Sequence, residues 1–300
     1  MAAAGRLVRR AVVGFAVGVV ALEATLQIAA FLAPWFVPTA GTGTTAGTAR
    51  ILLVGDSHAA SAMVPAQERL SDHLERMLSA RHPGRRFEVV NLGRAGVNSA
   101  WVANRLQANV LAYRPQLVIV WVGVNDLWNT LETESWAIGD PWLRLQRLLL
   151  HSKVYRLLSV IRGTGANDDI RGRWRPVLPA EQLVEVRRGL AFDLERMVRT
   201  SFALRTPILF MNYPVPYDVV NSTIRTSGES LGVPVVKTDV DLVRAERDGH
   251  SQAALLTFAA GPHPTGLLYR YVAESTVPHV EMLLRQAGVD LRRDEAGDLE

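Results

Sequence analysis

The stretch Gly55-Asp56-Ser57-His58 sets an acid, a hydroxyl and an imidazole directly behind the apolar run Ile51-Leu52-Leu53-Val54. Three further polar groups punctuate the chain: Asn91-Leu92-Gly93-Arg94-Ala95-Gly96, Gly123-Val124-Asn125-Asp126 and Gly261-Pro262-His263-Pro264. A serine hydroxyl is a poor nucleophile until a neighbouring imidazole takes its proton. Attack on an acyl carbonyl then leaves an oxyanion, which preorganised N–H donors stabilise. A serine, a histidine, glycine-rich turns and an amide side chain are residue types that such chemistry requires. Cysteine is absent, which excludes disulfides, thiolate catalysis and thiolate metal sites. No metal-binding constellation stands out, and the Gly/Thr-rich residues 38–50 lack the Gly-Lys-Ser/Thr ending of a phosphate loop. The expectation is a site with no metal and no cofactor.

In an open α/β sheet, ligand-handling residues collect at the carboxyl ends of the strands. After residue 50 the chain alternates short apolar runs with amphipathic ones. Ile51 to Val54, Phe87 to Asn91, Leu117 to Val122, Pro207 to Met211 and Val233 to Lys237 read as strands. Leu117 to Val122 has no polar alternation, as a strand covered on both faces should. Ala66 to Ala80, Ala100 to Tyr113, Glu181 to Thr200 and about Thr265 to Gln286 read as helices, the first with Leu70, Leu74 and Leu78 on one face. Residues 127–179 interrupt the rhythm and hold Trp128, Trp136, Trp142 and Trp174, four of the seven tryptophans. They read as a cap-like insertion in the same domain. The whole predicts an α/β three-layer sandwich, a central parallel sheet of about five strands with helices on both faces.

Taken in order, the four polar groups resemble the blocks of the SGNH/GDSL hydrolases, a family of serine esterases, over roughly residues 50 to 285. The resemblance implies a flavodoxin-like sandwich and hydrolysis of esters, thioesters or carbohydrate-linked acyl groups. It implies Ser57 as nucleophile and His263 as base. It implies an oxyanion hole made by Gly96, with Gly93 the weaker candidate, by the Asn125 side chain and by the amide of Ser57. Asp56 is expected to bond backbone amides in its turn, and Asp126 to sit in a buried network. The family places an aspartate three residues before the histidine, where this chain has Ala260. The working expectation is therefore a Ser57–His263 dyad, with a backbone carbonyl or Asp248 orienting the ring.

Other readings stay open at this point. A chain without its acid could be a binding or scaffold protein that keeps the fold, and an acyltransferase could use the same dyad with a glycan hydroxyl as acceptor. Ser57 could serve only as a helix N-cap, Asn125-Asp126 only as a turn, and His263 only to shape a loop. His250, in Asp248-Gly249-His250, is the alternative base. His58 is expected in polar packing or substrate contact, because adjacent helical side chains do not face each other. His73, His82, His151 and His279 read as solvated.

Arg6, Arg9 and Arg10 precede residues 11–36, in which Glu23 is the only charge. Twenty-six helical residues reach about 39 Å, against a hydrocarbon thickness of about 30 Å. A mid-span acid costs on the order of 2.5–3.5 kcal/mol, which the apolar neighbours offset. The expected organisation is a cytoplasmic N-terminus (1–10), a transmembrane signal-anchor (11–36), a linker (37–49), an extracytoplasmic hydrolase domain (50–288) and a flexible tail (289–300). The alternative is secretion after signal-peptide cleavage. A net charge of +4 without a basic stripe argues against nucleic acid. The expected partners are an acyl ester, with a cell-envelope glycan suggested by location, and the membrane.

Overall fold

The computed structural model describes residues 2–36, 47–130, 132–134, 141, 145, 149, 152–155, 158, 180–258 and 261–291. The first helix, α1 (Ala2–Phe36), carries the apolar stretch Arg9–Ala29. Residues 37–46 of the expected linker, most of the insertion with Trp136, Trp142 and Trp174, and the tail from residue 292 lie outside the described residues.

Five parallel strands form the main sheet: β1 (Thr48–Gly55), β2 (Arg86–Asn91), β3 (Leu117–Trp121), β4 (Ile208–Met211) and β5 (Val235–Val236), in the order β2-β1-β3-β4-β5. All of β3 and all but the first residue of β1 are buried, which requires helices on both faces. One face carries α3 (Leu70–Arg81) against the final helix, Gly266–Gln286, which also packs on the helix Thr238–Arg247. The other carries α4 (Ser99–Tyr113) against α5 (Ala180–Ala203), and α5 against α6 (Asp218–Leu231). We label Thr238–Arg247 α7, a short Gln252–Leu255 helix α8 and the final helix α9. A small antiparallel pair, β6 (Leu256–Thr257) and β7 (His263–Pro264), precedes α9. The chain leaves β1 toward β2, then returns past it to β3, so the strand order reverses at the carboxyl ends of β1 and β3. That is where an open α/β sheet leaves a crevice.

Some elements differ from the reading of the sequence. The first amphipathic run opens as a 3-10 turn, Ala66–Glu68, and becomes α-helical only at Leu70 because Arg69 is extended (ψ 153°). Leu70, Leu74 and Leu78 still face inward, fully buried. The fifth strand shrinks to two residues. Two helices lie outside the reading of the sequence. On α6 the buried face is Val220, Asn221, Thr223, Ile224, Ser227 and Gly228, in which Val220 and Ile224 keep a helical spacing among polar and small neighbours. Gly228 lies so close to the fifth strand that a Cβ there would stand 2.3 Å from Val235 Cγ2. On α7 only Leu242 and Ala245 supply apolar burial.

Candidate active site

Ser57 is the first residue of α2 (Ser57–Ala60), directly after β1. Gly55 makes that exit possible: a Cβ on it would lie 1.9 Å from the Trp121 carbonyl oxygen of β3. Asp56, fully buried, fixes the turn from both sides. Its N–H donates to Trp121 O (3.0 Å), and its carboxylate caps α2 by accepting from the His58 N–H (2.9 Å) and from the Tyr213 hydroxyl. Burial first, and then the Asp56 charge, pushes the Tyr213 hydroxyl well above its ordinary range, so it stays a donor.

β7 brings His263 to the same place from 206 residues away, its Nε2 2.7 Å from Ser57 Oγ. On the other side of the ring Nδ1 lies 2.9 Å from the Gly261 carbonyl oxygen. A carbonyl only accepts, so Nδ1 carries the proton and Nε2 presents its lone pair to the serine hydroxyl. The acceptor on the ring is thus the backbone carbonyl. Asp248 is engaged elsewhere, accepting from the Tyr271 hydroxyl at 2.6 Å, and His250 stands edge-on to Tyr271 at 5.9 Å. His263 is 6% exposed. Burial, and then repulsion from His58, pulls its pKa down to about 4, against the opposing pull of Gly261 O and Asp56.

His58 contacts the dyad after all. Its ring stacks on His263 with centroids 4.6 Å apart and packs edge-on to Tyr213 at 4.8 Å. Both of its ring nitrogens are buried without a hydrogen bond, although Nδ1 stands 3.4 Å from Asp56 Oδ1. The no-facing rule applies within a regular helix, and α2 is a single turn that starts at Ser57. Among the histidines expected in solvent, His82 is instead half-buried against Glu281 at 3.0 Å, and His73 is half-buried with its pKa lowered, first by burial. His279 is also only half-exposed, and His151 lies outside the described residues.

A cavity of about 230 Å³ opens beside the dyad, lined by Ser57, His58, Met63, Ala95, Gly96, Val124, Asn125, Leu127, Trp128, Tyr217, Gly261, Pro262 and His263. The two candidate glycines separate here. Gly93 packs against α2, where a Cβ would lie 2.2 Å from Ala60 N, and its N–H donates to Asn91 Oδ1 at 2.9 Å. Gly96, at φ +78°, lines the cavity, and its carbonyl accepts from Asn129 Nδ2 at 2.7 Å. Asn125, in the 3-10 turn Val124–Leu127, is held at both ends. Its Nδ2 donates to Val97 O (2.8 Å) and its Oδ1 accepts from Trp128 Nε1 (3.1 Å). An amide nitrogen has two hydrogens, so one remains for a ligand in the cavity.

Asp126 turns away from the cavity. Its carboxyl accepts from the Ser99 N–H at 2.9 Å and also meets Ser99 Oγ, which stands 2.8 Å from Asp193 Oδ2. One hydroxyl proton cannot serve two carboxylates, so one acid carries a proton of its own. Loss of solvation lifts Asp126 to about 7 and also raises Asp193, which Arg196 pairs with at 3.1 Å. Asp126 is therefore the protonated partner below neutrality. Tyr213 and Ser99 carried no signal as single residues, although Tyr213 follows β4 and the strand-end rule points to it. Among the described residues no group of three or more potential metal ligands occurs.

Residues 53–271 match the GDSL-like Lipase/Acylhydrolase family. Among solved structures the chain is similar to a psychrotrophic esterase, EstA, from Pseudoalteromonas sp. (14% identity, 79% of this chain and 98% of that one, TM-score 0.50). It is also similar to an alpha/beta hydrolase enzyme from the metagenome of Lake Arreo (18%, 81% and 99%, TM-score 0.49) and to a catalytic mutant of an acetylxylan esterase from Geobacillus stearothermophilus (15%, 82% and 97%, TM-score 0.48). No curated protein matches the chain. With most of its length matched, from the core of β1 into α9, the chain belongs to the GDSL-like lipase/acylhydrolase family of ester hydrolases.

Proposed function

We propose that this chain is a membrane-anchored, extracytoplasmic serine esterase that hydrolyses a short acyl ester through a Ser57–His263 dyad. The observation that carries the reading is the 2.7 Å approach of His263 Nε2 to Ser57 Oγ at the wall of the cavity. As the Ser57 Oγ–carbonyl bond forms, the hydroxyl proton passes to Nε2. The oxyanion meets the N–H groups of Ser57 and Gly96 and the second hydrogen of Asn125 Nδ2. Collapse expels the alcohol, which takes the proton back from Nε2. Water then repeats the sequence on the acyl-serine and releases the acid.

The Gly261 carbonyl stands in for the missing carboxylate at Ala260 in one respect: it sets the tautomer. Asp56 and Asp126 are supporting groups that hold the turns carrying Ser57 and Asn125. The size of the cavity supports a small acyl group, and the arginine-flanked helix supports an envelope location in which an O-acetylated glycan is the natural ester.

Labelling with a fluorophosphonate tests the chemistry. The intact protein should label, and Ser57→Ala and His263→Ala should not. Labelling that persists in Ser57→Ala, or none in the intact chain, would return the protein to the class of non-catalytic scaffolds. A reporter fused after residue 300 should read export.

A further inference from the structure

Glu23, the charge within the apolar stretch of α1, is not left bare. Ser152 Oγ, the Lys153 N–H and the Val154 N–H each donate to its carboxylate at 2.8 Å, and Gln27 Nε2 donates at 2.6 Å. Ser152 Oγ also accepts from the Tyr155 N–H at 3.1 Å. The carboxylate and the serine together cap a helical turn that lies 129 residues downstream. The arrangement satisfies both parties. A carboxylate in hydrocarbon needs hydrogen-bond donors, and backbone N–H groups at the start of a turn need acceptors where no water reaches them.

The depth of the contact is consistent with this. The apolar run continues past Ala29 to Phe36; at 1.5 Å per residue Glu23 lies about 20 Å beyond Arg10, and so about 10 Å short of the far side of a hydrocarbon about 30 Å thick. With the arginines at the cytoplasmic end, Glu23 sits in the outer half of the span, the half that an exported domain faces. A segment that reaches it from outside enters to the depth of an interfacial helix, about 5–10 Å. The described side chains of that segment are suited to lipid: Leu145, Leu149 and Leu158 are 44%, 38% and 53% exposed. In sequence, residues 141–162 contain Arg144, Arg147, Lys153, Arg156 and Arg162 and no acid, which complements anionic headgroups.

We propose that Glu23 is a latch that seats Ser152–Tyr155 on the anchor, with Leu145, Leu149 and Leu158 resting in the outer leaflet of an anionic bilayer. The hydrolase is then held on the membrane at a second place besides its linker. Glu23 acts as a positioning residue, and the proposal rests on the anchor reading given above.

The absence of cysteine makes the test clean. Leu149→Cys in the full-length chain, carrying an environment-sensitive fluorophore, is reconstituted into phosphatidylethanolamine/phosphatidylglycerol vesicles, with and without acyl-brominated lipid. The expected result is blue-shifted emission at least halved by the brominated lipid. Adding Glu23→Leu should abolish most of that quenching and Ser152→Ala should reduce it, while p-nitrophenyl acetate turnover stays unchanged and shows that both variants fold. Quenching that neither substitution alters overturns the latch. An unquenched label on protein that resists carbonate extraction overturns the lipid seat and leaves the anchor standing. Release of the unsubstituted chain by carbonate overturns the anchor and the latch together, and the labelling of Ser57 judges the dyad independently of either.

Discussion

The imidazole of His263 has a neutral oxygen, not a carboxylate, on its far side. Gly261 O fixes where the ring proton sits, yet it would do little to stabilise the positive charge formed when Nε2 accepts the serine proton in the proposed reaction. Burial and the stacked His58 oppose that charge further, which is why the pKa falls to about 4. As the proposed base, His263 is therefore neutral and ready far into acid, but weak. The acid limb of kcat/KM for p-nitrophenyl acetate should lie close to pH 4, not near 6.5, and Ala260→Asp should move it upward; an acid limb at 6–7 in the unsubstituted protein would contradict the geometry. Stability follows the same group. Between pH 6.5 and about 4 the unfolded chain binds the proton and the folded one does not, so stability falls as pH falls through that window, by on the order of 3 kcal/mol. That Ser57, Gly96, Asn125 and His263 meet at one cavity was legible because residue types and their order in the chain point to it. The Gly261 carbonyl was legible only as one of two options, since every residue has a carbonyl and only the fold aims one.

At the level of elements, the sheet was readable wherever strands were unbroken apolar runs, as at Leu117 to Trp121, and so were helices with a leucine stripe. The helix Asp218–Leu231 was passed over although Val220 and Ile224 keep a helical spacing, because polar and small residues fill the rest of its inward face and it shows no leucine stripe. Small residues also set the spacing around the candidate nucleophile. Gly93 lets the loop after β2 press against α2, with the Ala60 backbone 2.2 Å from where a Cβ would be. Backbone cannot yield as a flexible side chain can. Gly93→Ala should therefore shift α2, separate Ser57 Oγ from Nε2, and cost about 1–3 kcal/mol by overpacking. Chemical denaturation and fluorophosphonate labelling should both record the change. Wild-type labelling with unaltered stability would show that the loop has room to move.

At the scale of the molecule, the buried core of the described residues runs from Ala49 to Leu291 and takes none of the described side chains of α1. A chain lacking residues 1–46 should accordingly stay in the supernatant of a membrane preparation and keep its turnover of a soluble ester; loss of that turnover would make the helix part of the fold. In the proposed cycle one imidazole takes a proton in each half, from Ser57 and then from water, and returns one in each half, to the alcohol and then to Ser57. A weakly basic ring, a willing donor once protonated, would slow the two attacks and ease the two departures alike. The carbonyl of one glycine would thus set a single balance between attack and departure for both halves of the cycle.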